Sequence, residues 1–111
     1  MPAVNDAEAI AAFAALAQDH RLAAFRKLVR AGETGMPAGA IAEALEIAPS
    51  SLSFHLAQLA GAGLVTQERQ HRTIIYRADY AAVNTLIGFL LEKCCEADQC
   101  DYSRQTPENE P

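Results

Sequence analysis

Leu52, Leu56 and Leu59 recur at helical spacing and stop at Gly61 and Gly63, where the apolar pattern changes period. Residues 64–69 and 73–77 then read as two short strands, joined by Gln70, His71 and Arg72 at a hairpin tip. On the other side of the leucine stripe, Ile47-Ala48-Pro49 forms a short break. It follows a brief helical segment with Ile41, Ala44 and Leu45 facing inward. Few folds accommodate two helices across a tight turn with a hairpin directly after them. This is the order of a helix-turn-helix followed by a wing.

The flanking residues extend the pattern. Asn5 is predicted to cap a first helix with Glu8 closing a capping box, and Ile10, Phe13, Leu16 and Ala17 form its stripe. Asp19 is predicted to cap a second helix bearing Leu22, Phe25, Leu28 and Val29, ended by Gly32 and Gly35. Pro37 suits the first turn of the third helix, and Ser50 or Ser51 the start of the fourth. Asp79 is predicted to cap a last helix carrying Val83, Leu86, Ile87, Leu90 and Leu91. The expected fold class is mostly α with a small β-hairpin, a winged helix-turn-helix. It occupies residues 1–100 as one domain, with 101–111 a polar, disordered tail.

With 111 residues, half of them hydrophobic, the chain can build one core. A domain this small hides a modest share of its surface, and the apolar first and last helices exceed what one core needs, so a homodimer is expected. No apolar run is long enough for a membrane span, and MPAVNDAEAIAAF has no basic leader region. A cytoplasmic protein with reduced thiols is therefore expected. The net charge of −5 is unevenly spread. Residues 20–77 carry seven Lys/Arg against four acids, while residues 78–111 carry two bases against seven acids. The middle of the chain can therefore meet phosphate.

LAQDHRLAAFRKLV at 16–29, IAEALEIAPSSLSFHLAQLAGAGLV at 41–65 and RTIIYRADY at 72–80 resemble the ArsR/SmtB family of winged-helix repressors. The resemblance runs from about residue 6 to residue 96. It implies a homodimer paired through the first and last helices, bound to double-stranded operator DNA and released by an inducer ion. Some arsenic sensors of the family carry a Cys-Val-Cys motif at the third helix, where this chain has Met36-Pro37-Ala38-Gly39. The family's zinc sensors use Asp and His on the last helix. Here Asp79 is present, but no His follows His71. The chain is similar to a subset of arsenic-responsive members that carry a C-terminal cysteine pair with a third cysteine a few residues later.

All three cysteines, Cys94, Cys95 and Cys100, fall within LEKCCEADQC at 91–100. Soft thiolates select soft ions, and trivalent arsenic takes three of them in a pyramid. Zinc in a closed site wants a fourth ligand, and three cysteines leave it short unless Asp98 or Asp101 helps. On a continuous helix Cys100 would lie about 9 Å beyond Cys94, so the chain must break near residues 97–99 for three sulfurs to meet. Cys94 also continues the stripe of Leu90 and so has a plain core reading. As(III) is the expected inducer, arsenite foremost, with antimonite, organoarsenicals, a soft metal ion or thiol oxidation as alternatives. No obligatory cofactor is expected.

With the three leucines inward, Ser51, His55 and Gln58 share the outer face of the fourth helix, with Ser50 at its start and Ser53 and Phe54 at its margins. Ser and His suit phosphate or base edges, and Gln can pair bidentately with adenine. Arg69, His71 and Arg72 at the wing tip suit phosphates or a minor groove. Arg77 is expected to be structural, while Arg21, Arg26, Lys27 and Arg30 mark a solvated helix face. A thiol enzyme fits poorly, since no Cys-x-x-Cys follows a strand and no His lies beside the cysteines. A winged helix that binds only protein is the remaining class, and steep salt dependence of DNA binding distinguishes it.

Overall fold

The computed structural model describes residues 4–92. Cys94, Cys95, Cys100 and the predicted tail at 101–111 lie outside the described residues. Helix α1 spans Asp6–Leu16, α2 Asp19–Ala31, α3 Ala38–Leu45, α4 Pro49–Gly61 and α5 Tyr80–Leu90. A two-residue strand β1, Met36–Pro37, precedes α3, and β2 (Val65–Gln70) and β3 (Thr73–Ala78) form the hairpin. The antiparallel sheet has the order β1-β3-β2, so the architecture is a winged helix-turn-helix, mostly helical as expected. No helix among the described residues is long and apolar enough to cross a membrane.

The helix starts follow local chemistry. The Asn5 side chain accepts from the Glu8 amide at 2.8 Å, and the Glu8 carboxylate accepts from the Asn5 amide at 3.1 Å, completing the capping box. Asp79 caps α5 by accepting from the Ala82 amide at 3.1 Å. Helix α2 is capped by Gln18, one residue before the expected Asp19. Helix α4 begins at Pro49 rather than at Ser50 or Ser51, because the fixed φ of proline suits the first helical position.

The core is assembled around α4. Leu52, Leu56, Leu59 and Leu64 are fully buried with Leu28 of α2 and Ile41 of α3. Each such side chain contributes about 1.5–3 kcal/mol by leaving water. The helical stripes differ from expectation in several places. In α1 the buried positions are Ala9, Ala12 and Ala15, whereas Ile10 and Phe13 are exposed. Small alanine faces let α1 lie close to α2 and α4, which turns the larger residues outward. In α2, Phe25 and Leu28 are buried while Leu22 and Val29 are exposed. In α3, Ala42 rather than Ala44 is inward.

Pro37 caps α3 from outside the helix and also belongs to β1, where it pairs with Ile75 while Met36 pairs with Tyr76. A strand of two residues leaves no period in the sequence. Its place depends on Gly35, which has φ +67° and so close an approach to β3 that an added Cβ would lie 2.6 Å from both Ile75 Cγ2 and the Tyr76 oxygen. With ψ −173° this is a backbone region almost confined to glycine, costing about 1–3 kcal/mol for an alanine, and overpacking adds about 1–3 kcal/mol, so Gly35→Ala is expected to lower stability by about 2–6 kcal/mol. Gly39→Ala, in open space on α3, is the matched control and is expected to be neutral or stabilising. Denaturant midpoints check both, and equal midpoints for the two variants would rule out the close approach.

Candidate nucleic-acid interface

Burial of Leu52, Leu56 and Leu59 fixes what α4 shows to solvent. Ser50, Ser51, Ser53, Phe54, Ala57 and Gln58 are exposed, with Phe54 at 58%. Ala48 precedes the helix without a side-chain cap, so the first-turn amides of Ser50 and Ser51 keep their donors and the helix dipole faces outward there. This end of α4 is suited to a phosphate, and Gln58, farther along the same surface, is suited to a base edge.

His55 is placed differently from its neighbours. Its ring is half-buried against the start of α2, where Arg21 Nη1 lies 3.3 Å from Nδ1 and the His20 ring centroid is 5.6 Å away. Burial, then the Arg21 guanidinium, then His20 push the His55 imidazole below the usual histidine range, so the neutral ring is favoured. Arg21 is therefore no member of a solvated face. Its Nε also donates to the Ala15 oxygen at 2.7 Å, and its amide donates to Gln18 Oε1 at 2.9 Å. One side chain joins the end of α1, the start of α2 and the middle of α4. The sequence offers no sign of this, since Arg21 and His55 lie far apart along the chain.

The hairpin positions the second group. Gln70 pairs with Thr73, so the tip is His71 and Arg72 alone, with Gln70 still in the strand. His71 has φ +61°, a conformation that Gly, Asn, Asp and His tolerate best. Arg69, His71 and Arg72 are all exposed. At the base of the wing, Arg77 donates from Nη1 to Glu68 at 2.7 Å and from Nε to the Glu33 oxygen at 2.6 Å. These bonds confirm a structural Arg77. The hydrogen bond from Arg77, with a second from Gln70, holds the Glu68 carboxyl below the usual range. Glu68 is thus paired with Arg77, whereas Arg69 and Arg72 are in no ion pair among the described residues, Arg69 Nη1 donating only to the His71 oxygen at 3.5 Å.

Two variants separate the proposed roles of these residues. Gln58→Ala is expected to relax preference at one base pair by about 1–3 kcal/mol. Arg72→Ala is expected to weaken all duplexes alike and to reduce the salt slope by about 1. Binding measured across a salt series on selected and scrambled duplexes checks both. Parent-like binding by both variants would place the reading surface elsewhere.

A helix-turn-helix domain family model matches residues 16–68, from the end of α1 into the first wing strand. The transcriptional activator HlyU of Vibrio cholerae is 30% identical over 86% of this chain and 85% of its own length. Reduced HlyU has a solved structure with a TM-score of 0.60 at 26% identity, covering 80% of this chain and 93% of that one. An ArsR-like transcriptional regulator from Rhodococcus sp. RHA1 superposes with a TM-score of 0.72 at 30% identity, over 84% of this chain and 85% of that one. A third structure, described as a possible transcriptional regulator for arsenical resistance, has a TM-score of 0.60 at 26% identity, over 69% and 77% of the two chains. With a relative of that identity and coverage, and a fold and reading helix of this kind, the chain belongs to the ArsR family of winged helix-turn-helix transcriptional regulators.

Proposed function

We propose that the protein is a homodimeric repressor that occupies operator DNA and leaves it when trivalent arsenic binds Cys94, Cys95 and Cys100. The observation that carries the reading is the confinement of every cysteine to LEKCCEADQC, directly beyond α5. Three soft donors without a histidine suit a pyramidal, lone-pair-bearing ion better than zinc, which seeks a fourth ligand. The likeness to a possible regulator of arsenical resistance points the same way.

The two halves of this function meet on α5. Leu90 is 63% exposed on that helix, Ile10 is 67% exposed on α1, and Phe13 adds to the same excess. Residues of α1 and α5 line a common groove of about 250 Å³ that includes Ala11, Ala12, Thr85 and Leu86. A second copy covering this apolar surface would remove it from water and bring two α4 helices onto one duplex. An ion that draws Cys100 back onto Cys94 and Cys95 would reshape the end of a pairing helix and so alter the angle between the reading helices.

A second reading is thiol oxidation, favoured by the existence of HlyU in a form described as reduced. HlyU is described as an activator, so the direction of control here is read by transcription from the bound promoter.

Light scattering is expected to give a dimer, and Leu90→Glu a monomer. In a DNA-binding titration of reduced protein, arsenite is expected to release the operator at one arsenic per chain. Cys95→Ser should keep DNA affinity and lose the response. Cys100→Ser should weaken the arsenite response while sparing a two-thiol ligand such as a monomethylated arsenical. Partial release needs a coupling of about 1–3 kcal/mol, and a full switch about 5.5 kcal/mol. Unchanged arsenite release with Cys95→Ser would exclude the thiol site. Release by a disulfide-forming oxidant, and not by arsenite, would select the second reading.

A further inference from the structure

The groups around His55 form a cluster that the general DNA-reading role does not use. Arg21 is a donor at every nitrogen and accepts nothing. Its Nη1 lies 3.3 Å from His55 Nδ1, so in that contact Nδ1 must be the acceptor. A neutral imidazole that accepts at Nδ1 carries its proton at Nε2. Among the described residues no hydrogen bond reaches Nε2. Arg21 is itself held by the Ala15 oxygen at 2.7 Å, so the guanidinium cannot swing away without losing that bond.

We propose that Arg21 is a positioning residue that locks His55 in the Nε2–H tautomer, making this recognition-helix side chain a neutral donor for an acceptor atom on operator DNA. This rests on α4 being the reading helix. Burial, Arg21 and His20, the titratable neighbours that bear on the ring, all disfavour a second proton. Phe54 adds an edge contact with ring centroids 5.7 Å apart, which further limits rotation of the ring. A neutral donor has a thermodynamic consequence. It releases no counterion, whereas an imidazolium at a phosphate would add about 0.9 to the log–log salt slope. The reading helix then contributes direction and the wing arginines contribute the salt-dependent part of the affinity. The acceptor is a base-edge atom of the major groove (a purine N7, guanine O6 or thymine O4) or a phosphate oxygen, since each takes a neutral N–H donor.

Nitrogen NMR of the histidine rings in the full-length, reduced, DNA-free protein at pH 7 tests the lock directly. A protonated Nε2 and bare Nδ1 at His55 are expected, with Arg21→Met giving a tautomer mixture. A protonated Nδ1, an imidazolium or a rapidly exchanging mixture in the parent would overturn the proposal, and this measurement needs no variant to fold. On a duplex selected from random sequences by the parent protein, His55→Ala is expected to lose about tenfold in affinity, one well-made hydrogen bond. His55→Gln, which reaches a similar point with an N–H, is expected to recover most of that loss, and the salt slope should stay unchanged throughout. A slope smaller by about 0.9 for His55→Ala, or no loss of affinity, would overturn it. Substitution by 7-deazapurines, by analogues lacking guanine O6 or thymine O4, or by methylphosphonates then identifies the acceptor, and indifference to all of them would overturn the contact. Parent-like binding by both Gln58→Ala and Arg72→Ala would instead place the reading surface elsewhere, while the ring spectrum would still decide the tautomer.

Discussion

The sealed face of α4 is the constraint on which the remaining geometry depends. Leu52, Leu56 and Leu59 share one buried cluster with Leu28, Ile41 and Leu64, contributed by α2, α3 and the turn into the wing. Because the three leucines occupy one helical stripe, the azimuth of every other residue on α4 follows from their burial. Ser51 and Gln58 face outward because the leucines face inward. Leu64 also ties the helix to the hairpin, since its amide bonds to Leu59 and its oxygen receives the Asp79 amide. The core therefore orients the reading helix and the root of the wing together. Truncating any one of these leucines would cost about 2–5 kcal/mol and loosen both at once.

Charge is divided between structure and surface in a way that residue counts conceal. Seven Lys/Arg lie in residues 20–77, yet Arg21 and Arg77 are committed to protein partners. Arg77 fixes the wing to the turn after α2 and takes up the charge of Glu68. Arg21 fixes three helices and faces the only histidine of α4. Arg69 and Arg72, at the end of a hairpin, are exposed and in no ion pair among the described residues, and a long side chain there can follow a phosphate. The acidic excess lies elsewhere in the chain, so an overall charge of −5 is compatible with a DNA-binding surface.

The apolar surface of α1 and α5 is where the proposed assembly and the proposed sensing meet. Ile10, Phe13 and Leu90 are large side chains left partly or mostly in water by one chain. In the function proposed above, a ligand held by residues that follow α5 in sequence would act on a helix whose apolar face one chain leaves partly in water.

The order of elements was legible in the sequence because it rests on local chemistry. The change from helical to strand period, the capping box of Asn5 and Glu8, the Asp79 cap and the leucine stripe of α4 each depend on a few adjacent residues. The outer positions of Ser50, Ser51, Ser53 and Gln58 followed from that stripe, and the exposed tip of the wing from its hairpin. Other features required the tertiary structure. Ile10 and Phe13 keep helical spacing whether they face a core or a partner, and only the close approach of the alanine face of α1 turns them outward. Strand β1 is too short to carry a period, and Gly35 permits it through contact with residues some forty positions away. Arg21 resembles any surface arginine until folding places it beside Ala15 and His55. By itself the sequence determined the helix-turn-helix, the wing and the grouping of the thiols, since these are set by neighbours along the chain. Which charges stay free, which apolar face awaits a partner and which nitrogen of His55 is left to donate were decided by contacts between distant segments.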